Sequence, residues 1–511
     1  MLTAIASSVA AAILTDSAPP WSALRARAAA TPTGSRIEAE RALQRDGAGP
    51  PHVSTRLRLF GAAIDDVRVT LYRDDAAWCP YCQKTWLALE ELRIPHRVST
   101  VPLNAYGYKP VWFSRLVDGG KLPAIELDGA LHVESDEIIR LLDTTVADHG
   151  ARVFVPAADT DAARRSEELL ALLESLVAAW FSLVFYPVEG AKLESARDGL
   201  RDALRCVDAE LAAGQTDDSP WFLGGAEPSI VDVQYIVSVE RLLASVLYWK
   251  GLQLRCTGKY AHFERWLAAF EARPSYSASK SDYYTHSQAL PSQNGPGYPV
   301  PEAAAVAARI GGLGGAWSLE ALSQHDDADE PLSPLQTAGG ADAARHEAAL
   351  CLATNHENVV RFAARGGSEP GNPSFHAELA DPNAEPNEEL LAPVDLALRH
   401  VTAKLLDGDV DGWSEDAAAL DLAGSVDPNA PLMEGWGEYD DDDGGPIYFY
   451  NDETGEVRYS APTGQLDGCL AYLRDRVGVP RDMGAAAAMW LRATLNWAVD
   501  VARSEPGQET S

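Results

Sequence analysis

Positive charge is scarce in this sequence. Lys and Arg number 42 against 75 Asp and Glu in 511 residues, for a formal net charge of −33. Such an excess repels phosphate backbones and anionic lipid heads. No local basic patch stands out to offset it, so the expectation is no nucleic-acid partner and no membrane surface. Cysteine is scarce too: six in the whole chain, too few for a disulfide-stapled secreted scaffold. No uncharged apolar run reaches the roughly 18 residues that a spanning helix needs, and no internal repeat is visible. What is present is ordinary globular usage, 46% hydrophobic and 23% charged. That excludes wholesale disorder, and the length allows about three domains.

Residues 1–54 stand apart, rich in Ala, Ser, Thr and Arg with few acids before Glu38. Residues 2–14 are apolar but lack the preceding basic residue of a secretory signal. The composition fits an organelle transit peptide, with a plain disordered tail as the alternative.

Residues 67–72 alternate with period two and predict a strand. Trp86, Leu87, Leu89 and Leu92 recur at helical spacing over 80–92, and Pro95 ends that helix. His96–Val101 predicts a second strand. Residues 122–127 and 130–133 flank Asp128-Gly129, a hairpin turn signal. Ser135 then opens an apolar helical run through Ile138, Ile139 and Leu142. This βαβ-then-ββα order over 55–150 is that of a thioredoxin-like domain. Residues 155–285 are helical by period, with Ser229 and Asp232 forming a capping-box signal. Residues 286–340 read as a Pro- and Gly-rich linker, 341–428 as a helical extension, 429–465 as an aromatic, acidic segment with strand alternation, and 466–511 as further helix. The predicted fold class is multidomain: α/β, then all-α, then a helical extension carrying a small sheet.

Cys79-Pro80-Tyr81-Cys82 is the one chemical motif of note. A second CxxC or a nearby His pair would point to zinc; neither is present, so no metal is assigned. Inert buried thiols are the other reading. The motif follows a strand and opens a helix, where unpaired N–H groups favour an anion and lower a thiol pKa. Pro80 suits the first helical turn. Cys82, nearly one turn deeper, is placed to resolve a disulfide that Cys79 forms. Cys206, Cys256, Cys351 and Cys469 lie in apolar helical patterns and are expected to be buried. The acidic run at 326–330 lacks the spacing of a calcium loop.

On these residues the segment 69–143 resembles the N-terminal domain of a glutathione transferase, and the Cys-Pro-Tyr-Cys start resembles glutaredoxin. The likeness, over about 56–280, is greatest to the cysteine-type classes: omega, lambda and the dehydroascorbate reductases. The run 77–84 is similar to one in plastid and algal transferase-like proteins. The resemblance implies a thioredoxin-like glutathione-binding domain, an all-helical transferase domain, and glutathione as co-substrate without a metal. Leu122-Pro123 matches the family's cis-proline loop, whose backbone meets the cysteinyl part of glutathione. Glu134-Ser135 matches the pair that holds its γ-glutamyl end. Lys109 resembles an omega-class lysine that meets glutathione, a plain surface charge being the alternative. Trp180, Phe181 and Tyr186 are candidates to face an acceptor between the domains. A homodimer and a plastid location, with cytoplasm as the alternative, are further implications.

Trp436, Tyr448-Phe449-Tyr450-Asn451, Tyr459 and Pro462 resemble a WW domain. That implies a three-stranded sheet with Trp436, Phe449 and Pro462 on one face, and Tyr448 and Tyr459 lining a groove for a proline-rich peptide. Tyr459 replaces the family's second tryptophan. Two functions follow from the resemblances. One is a cysteine-type glutathione transferase or glutathione-dependent oxidoreductase acting on a small electrophile or disulfide. The other is a catalytically weak transferase-fold body that binds Pro-rich partners.

Overall fold

The computed structural model describes residues 16–147, 154–323, 339–371, 378–381, 383–407, 410, 413–427, 429–439, 447–453, 457–458 and 461–505. The first departure from expectation comes at once. The predicted disordered leader holds two helices, α1 (Trp21–Ala30) and α2 (Pro32–Arg45). Thr31 caps α2, accepting from the Gly34 N–H at 3.0 Å, and Pro32 takes the first helical position. The Trp21 ring stacks on His356 at 4.7 Å and its indole N–H donates to Asp395 at 2.7 Å. These helices are ordered by contacts some 370 residues away in sequence, which composition does not reveal. The apolar stretch 2–14 lies outside the described residues.

A five-stranded sheet follows, built from β1 (Leu57–Arg58), β2 (Val69–Asp74), β3 (His96–Val101), β4 (Ala124–Leu127) and β5 (Ala130–Val133). Its order is β1-β3-β2-β4-β5; β2 and β3 run parallel, the other pairs antiparallel. Helix α3 (Pro80–Glu91) connects β2 to β3, α4 (Val111–Leu116) precedes β4, and α5 (Ser135–Thr145) follows β5. The predicted βαβ-then-ββα order is present, with β1 unforeseen. The β4–β5 turn takes positive φ at both Asp128 (51°) and Gly129 (82°), as the hairpin signal requires.

The helical domain comprises α6 (Asp161–Val184), α7 (Gly190–Gly214), α8 (Ile230–Lys250) and α9 (Ala261–Glu271). Helix α8 is buried on nearly every side, the mark of a central core helix. The predicted capping box forms: Asp232 accepts from the Ser229 N–H at 2.8 Å. It also accepts from the Phe222 N–H and the Trp266 indole, each at 3.1 Å. On α7, Cys206 points to solvent between the buried Leu204 and Val207, one step off the apolar stripe. Cys256 is exposed in a loop, its N–H on Glu264 at 2.6 Å. The expectation that both are buried is corrected.

The predicted linker is largely folded. Helices α10 (Pro274–Ser277) and α11 (Tyr283–Ala289) lead out of the predicted helical domain; in the linker, α12 (Pro291–Asn294), α13 (Ala304–Gly311), α14 (Leu319–Ser323) and the turns between them carry Leu290, Val300, Ile310 and Trp317 into the core around α8. The apolar anchors are too widely spaced among Pro and Gly to show a period. The acidic run 326–330 lies outside the described residues.

The extension builds a second core from α15 (Gly340–Ala363), α16 (Leu391–Leu405), α17 (Glu415–Leu422), α18 (Leu466–Arg476) and α19 (Ala485–Arg503). Leu350, Leu398, Val401, Leu470 and Leu491 fill it, with Leu24 of α1. Strands β6 (Trp436–Tyr439), β7 (Tyr448–Asn451) and β8 (Val457–Arg458) form a separate antiparallel sheet. The two cores are bolted together: Arg492 to Asp282 at 2.7 Å, Tyr284 to the Asp475 carbonyl at 2.8 Å, and the Val479 N–H to Thr285 at 3.1 Å. No described helix is long and apolar enough to cross a membrane.

Candidate active site

Cys79 is the N-cap of α3, and its sulfur accepts the Cys82 backbone N–H at 3.4 Å. An N-cap acceptor sits against the unpaired donors of the first turn, where negative charge is favoured. The loop before it is fixed from below by Asp74, at the end of β2. One Asp74 carboxylate oxygen accepts the N–H of Trp78 at 2.6 Å and that of Cys79 at 3.3 Å. From the helical domain, Arg241 donates to the Trp78 carbonyl and to Gln83, each at 2.8 Å. The Cys82 thiol, hydrogen-bonded to Cys79, holds the Cys79 pKa below its ordinary value, against the opposing effect of burial. Burial pushes Cys82 well above its ordinary value, with Cys79 adding to the rise. The pair is therefore asymmetric: one thiol inclined to ionise, the other to keep its proton. Both are buried, Cys79 at 6% exposed and Cys82 at 1%.

Donor atoms of Asp74, Cys79 and Cys82 lie within 4.8 Å of one another. This is a grouping the sequence reading did not foresee. Three donors with one carboxylate oxygen already shared by two backbone N–H groups make an incomplete set for a tetrahedral metal.

The residues matched to glutathione binding lie on the elements around this sulfur. Leu122-Pro123 is cis and leads into β4, which pairs with β2. Among the described residues, none hydrogen-bonds the backbone N–H or C=O of Leu122. Ser135 is buried at the first position of α5, and its hydroxyl likewise has no described partner. Three N–H groups of that first turn precede the first intrahelical bond, Ile138 N–H to the Glu134 carbonyl at 2.9 Å, so this end suits a carboxylate. Glu134 is an exposed non-glycine residue at φ 65°, paired with Lys121 at 3.5 Å. Such a backbone conformation at a helix entry is costly and clusters at functional sites. Lys109 is half-buried, donating to the Pro102 carbonyl at 2.9 Å, and desolvation lowers its pKa while both cysteines oppose the shift. Asp136, in the first turn of α5, accepts from Lys84 at 2.7 Å.

The acceptor side differs from expectation. Trp180 is buried, its indole N–H on Ser245 at 2.7 Å and its ring against Phe181 and Phe185. Tyr186 is largely exposed. Covering Trp78 instead is the turn before α19. The Trp78 indole N–H donates to the Val479 carbonyl at 2.9 Å, and the Arg481 guanidinium lies 4.9 Å over its ring. Tyr106 meets the same ring edge-on at 5.0 Å. Nothing in the sequence pointed to 478–482, because the contact spans 401 residues.

In the small sheet, register puts Trp436, Phe449 and Asn451 on one face and Tyr439, Tyr448 and Tyr450 on the other. The first three are buried, and Arg458 bridges the Trp436 ring at 4.7 Å to the Tyr472 ring at 5.8 Å, seating the sheet on α18. Tyr448 stacks on Tyr439 at 5.7 Å. Tyr459 lies outside the described residues.

Residues 78–145 match the family model "Glutathione S-transferase, N-terminal domain", and residues 161–269 match "Glutathione S-transferase, C-terminal domain". Glutathione S-transferase L3 of Arabidopsis thaliana is 25% identical over 213 residues, 40% of this chain and 79% of that protein. Glutathione S-transferase DHAR2 of the same plant is 35% identical over 65 residues, 13% of this chain and 29% of that protein. Among solved structures, the trimeric glutathione transferase TDR1 of Leishmania aligns with a TM-score of 0.36 at 24% identity, over 43% of this chain and 46% of that one. The chain thus carries a thioredoxin-like N-terminal and a helical C-terminal glutathione S-transferase domain, and the extension lies beyond the matched segments.

Proposed function

We propose that this protein is a glutathione-dependent thiol transferase that works through Cys79. The observation that carries the reading is the N-cap sulfur held by the Cys82 N–H, beside the unengaged Leu122 backbone and the Ser135 helix entry. The names of the relatives, a lambda-type transferase and DHAR2, agree with glutathione as co-substrate. In the proposed reaction the Cys79 thiolate attacks the glutathione sulfur of a mixed disulfide. A Cys79–glutathione disulfide forms and the acceptor thiolate leaves, taking a proton from water. A second glutathione thiolate then attacks the glutathione sulfur, giving oxidised glutathione and regenerating Cys79. Leu122 would pair with the cysteinyl backbone, and Ser135 with the first turn of α5 would receive the γ-glutamyl carboxylate. Lys109 is a candidate for the glycyl carboxylate. A dithiol route through Cys82 would require removing a proton that its burial favours, so the second glutathione is the better resolving thiol. Dehydroascorbate reduction is the other reaction of the same site.

The test is glutathione-dependent reduction of hydroxyethyl disulfide. Cys79→Ser should abolish it and Cys82→Ser should retain much of it. Equal activity in wild type and Cys79→Ser would refute the reading. A second role is favoured by the Tyr439–Tyr448 stack on the sheet face opposite the seated one: docking of a proline-rich segment on these rings. A polyproline peptide titrated against wild type and Tyr448→Ala decides it, and unchanged affinity in the variant would reject it.

A further inference from the structure

A cavity of about 670 Å³ opens in the extension, away from any role in the proposed reaction. Its wall brings together Arg41 of α2, Arg361 and Arg365 at the end of α15, Arg476 at the end of α18, and Arg481. The one acidic residue in that wall is Asp482, which Arg481 already binds at 2.7 Å. Five guanidinium groups in one recess is notable in a chain of net charge −33, because like charges repel at close range and must be held there. The sequence shows no basic run, since these arginines come from three separated segments.

Each arginine is braced from behind. Arg361 pairs with Glu388 at 3.0 Å and Arg41 with Glu38 at 3.6 Å, both acids lying outside the wall. Arg365 donates to the Asp381 carbonyl at 3.2 Å and lies 5.4 Å over the Phe362 ring. Arg476 lies 3.7 Å over Tyr472, and its carbonyl accepts from Arg481 at 2.6 Å. His52 on the rim is pushed down to about 4, chiefly by desolvation, with Arg41 of the wall adding to the shift. Asn355 breaks the helical dihedrals of α15 (φ −119°, ψ 21°) where that helix passes the cavity. Phe362, Leu473, Val477, Met483 and Leu491 give the lining an apolar part, and Ser54, Thr354, Asn355 and Asn358 add neutral polar groups. Cys351 at the wall is pushed up to about 12 by burial, so it remains a thiol.

We propose that this cavity is a binding site for an organic dianion with an apolar body, of which an aryl phosphate is the simplest example. Guanidinium groups match phosphate and carboxylate oxygens in paired fashion, and the Phe362–Leu473–Val477 surface receives the apolar part. Arg481 links the wall of this cavity to the loop before Cys79, through the Trp78 ring.

The test is calorimetric titration of the full chain with phenyl phosphate at low salt. Binding below about 1 mM is expected, weakening as salt is raised. Arg365→Gln and Arg41→Gln should each weaken it about tenfold, since each removes a charge-assisted bond. Arg365→Lys should recover part of the loss. Arg201→Gln on α7, paired with Asp198 at 3.0 Å far along the other domain, and Cys79→Ser should bind as wild type. Far-UV circular dichroism checks folding; should Arg365→Gln unfold, Arg41→Gln carries the comparison. Absence of binding at several millimolar overturns the proposal. So does equal weakening by Arg201→Gln, which would mean bulk electrostatics, or inorganic phosphate binding as tightly as phenyl phosphate, which would leave the apolar wall without a role.

Discussion

Replacing Cys82 by alanine removes the largest influence that keeps Cys79 acidic, the hydrogen bond from the Cys82 thiol. The backbone N–H of residue 82, at 3.4 Å from the Cys79 sulfur, remains. A hydrogen bond to a charged group contributes about 1.5–3 kcal/mol. Sulfur is a weak donor and acceptor, so the lower end of that range applies, about 1.5 kcal/mol or roughly tenfold in an equilibrium. At pH 6 the thiolate fraction of Cys79 should therefore fall about tenfold. Thiolates of higher pKa are stronger nucleophiles, with a slope near 0.5, and that returns a factor of about three. The net expectation is a three- to fourfold slower alkylation of Cys79 by iodoacetamide at pH 6 in Cys82→Ala. Above the ordinary thiol pKa, where both proteins are fully ionised, only the nucleophilicity factor is left and Cys82→Ala should react about threefold faster. In Cys82→Ser, whose hydroxyl still donates, the rate should stay within a factor of about two of wild type. Restricted access slows all three proteins alike and cancels in the ratio. Cys82 itself is 1% exposed with its pKa pushed up, so it adds nothing to the rate at pH 6. Mass spectrometry of the labelled peptide reads the site directly. An unchanged pH–rate profile in Cys82→Ala, or a wild-type profile with the midpoint of a free thiol, would refute the asymmetric pair.

Glu240 accepts from Ser281 N–H at 2.8 Å, His286 at 2.7 Å and Gln83 at 2.9 Å. Burial opposes its ionisation, yet these partners and Arg241 bring it from 4.5 to about 2. Its folded pKa is depressed, so the stability it contributes is present above pH 4.5 and is lost as pH falls toward 2; the shift corresponds to about 3 kcal/mol. Urea melts at pH 5 and pH 3 should show about 2 kcal/mol of that loss in wild type and a correspondingly smaller change in Glu240→Gln. In a second variant, Gly478→Ala, the added Cβ would lie 2.4 Å from the Trp78 ring, so overpacking should cost about 1–3 kcal/mol. A melting temperature equal to wild type would mean that 478–482 does not press on Trp78 in solution.

The local parts of the site are legible in the sequence because they are consecutive. Cys79-Pro80-Tyr81-Cys82 fixes an N-cap, a first-turn proline and a sulfur one turn deeper within four residues. Asp128-Gly129 announces its hairpin, and Ser229 with Asp232 its cap. Strand β1 is only two residues long, too short to show alternation. Asp74 has no sequence signal of its own, because its role is set by the turn that brings Trp78 N–H over its carboxylate. Helices α1 and α2 read as leader because their composition is Ala- and Arg-rich. What orders them is Trp21 against His356 and Asp16 against Arg399, pairings across more than 300 residues that no window of sequence contains. The arginine cavity is hidden for the same reason.

Trp78 is where the two cores meet, and the residue after it is Cys79. Freeing the turn at 478–482 would forfeit the Trp78 and Ser281 bonds to the Val479 carbonyl and the Val479 N–H bond to Thr285. At about 1 kcal/mol each, these three bonds favour the closed arrangement by about 3 kcal/mol, more than a hundredfold in population. The ring contacts with Arg481 and Tyr106 add to this. A transferase domain ending at residue 269, the limit of the matched segment, would leave that side of Trp78 bare. Here the extension supplies the wall, so in the proposed reaction acceptor size at Cys79 would be governed by residues that lie outside both matched segments. A glutathionylated protein must fit its backbone against Tyr106 and Arg481 or displace the turn, and displacement carries the hundredfold penalty. On the proposed function, selection against bulky acceptors would follow from how the second core is bolted to the first, not from the chemistry of the cysteine pair.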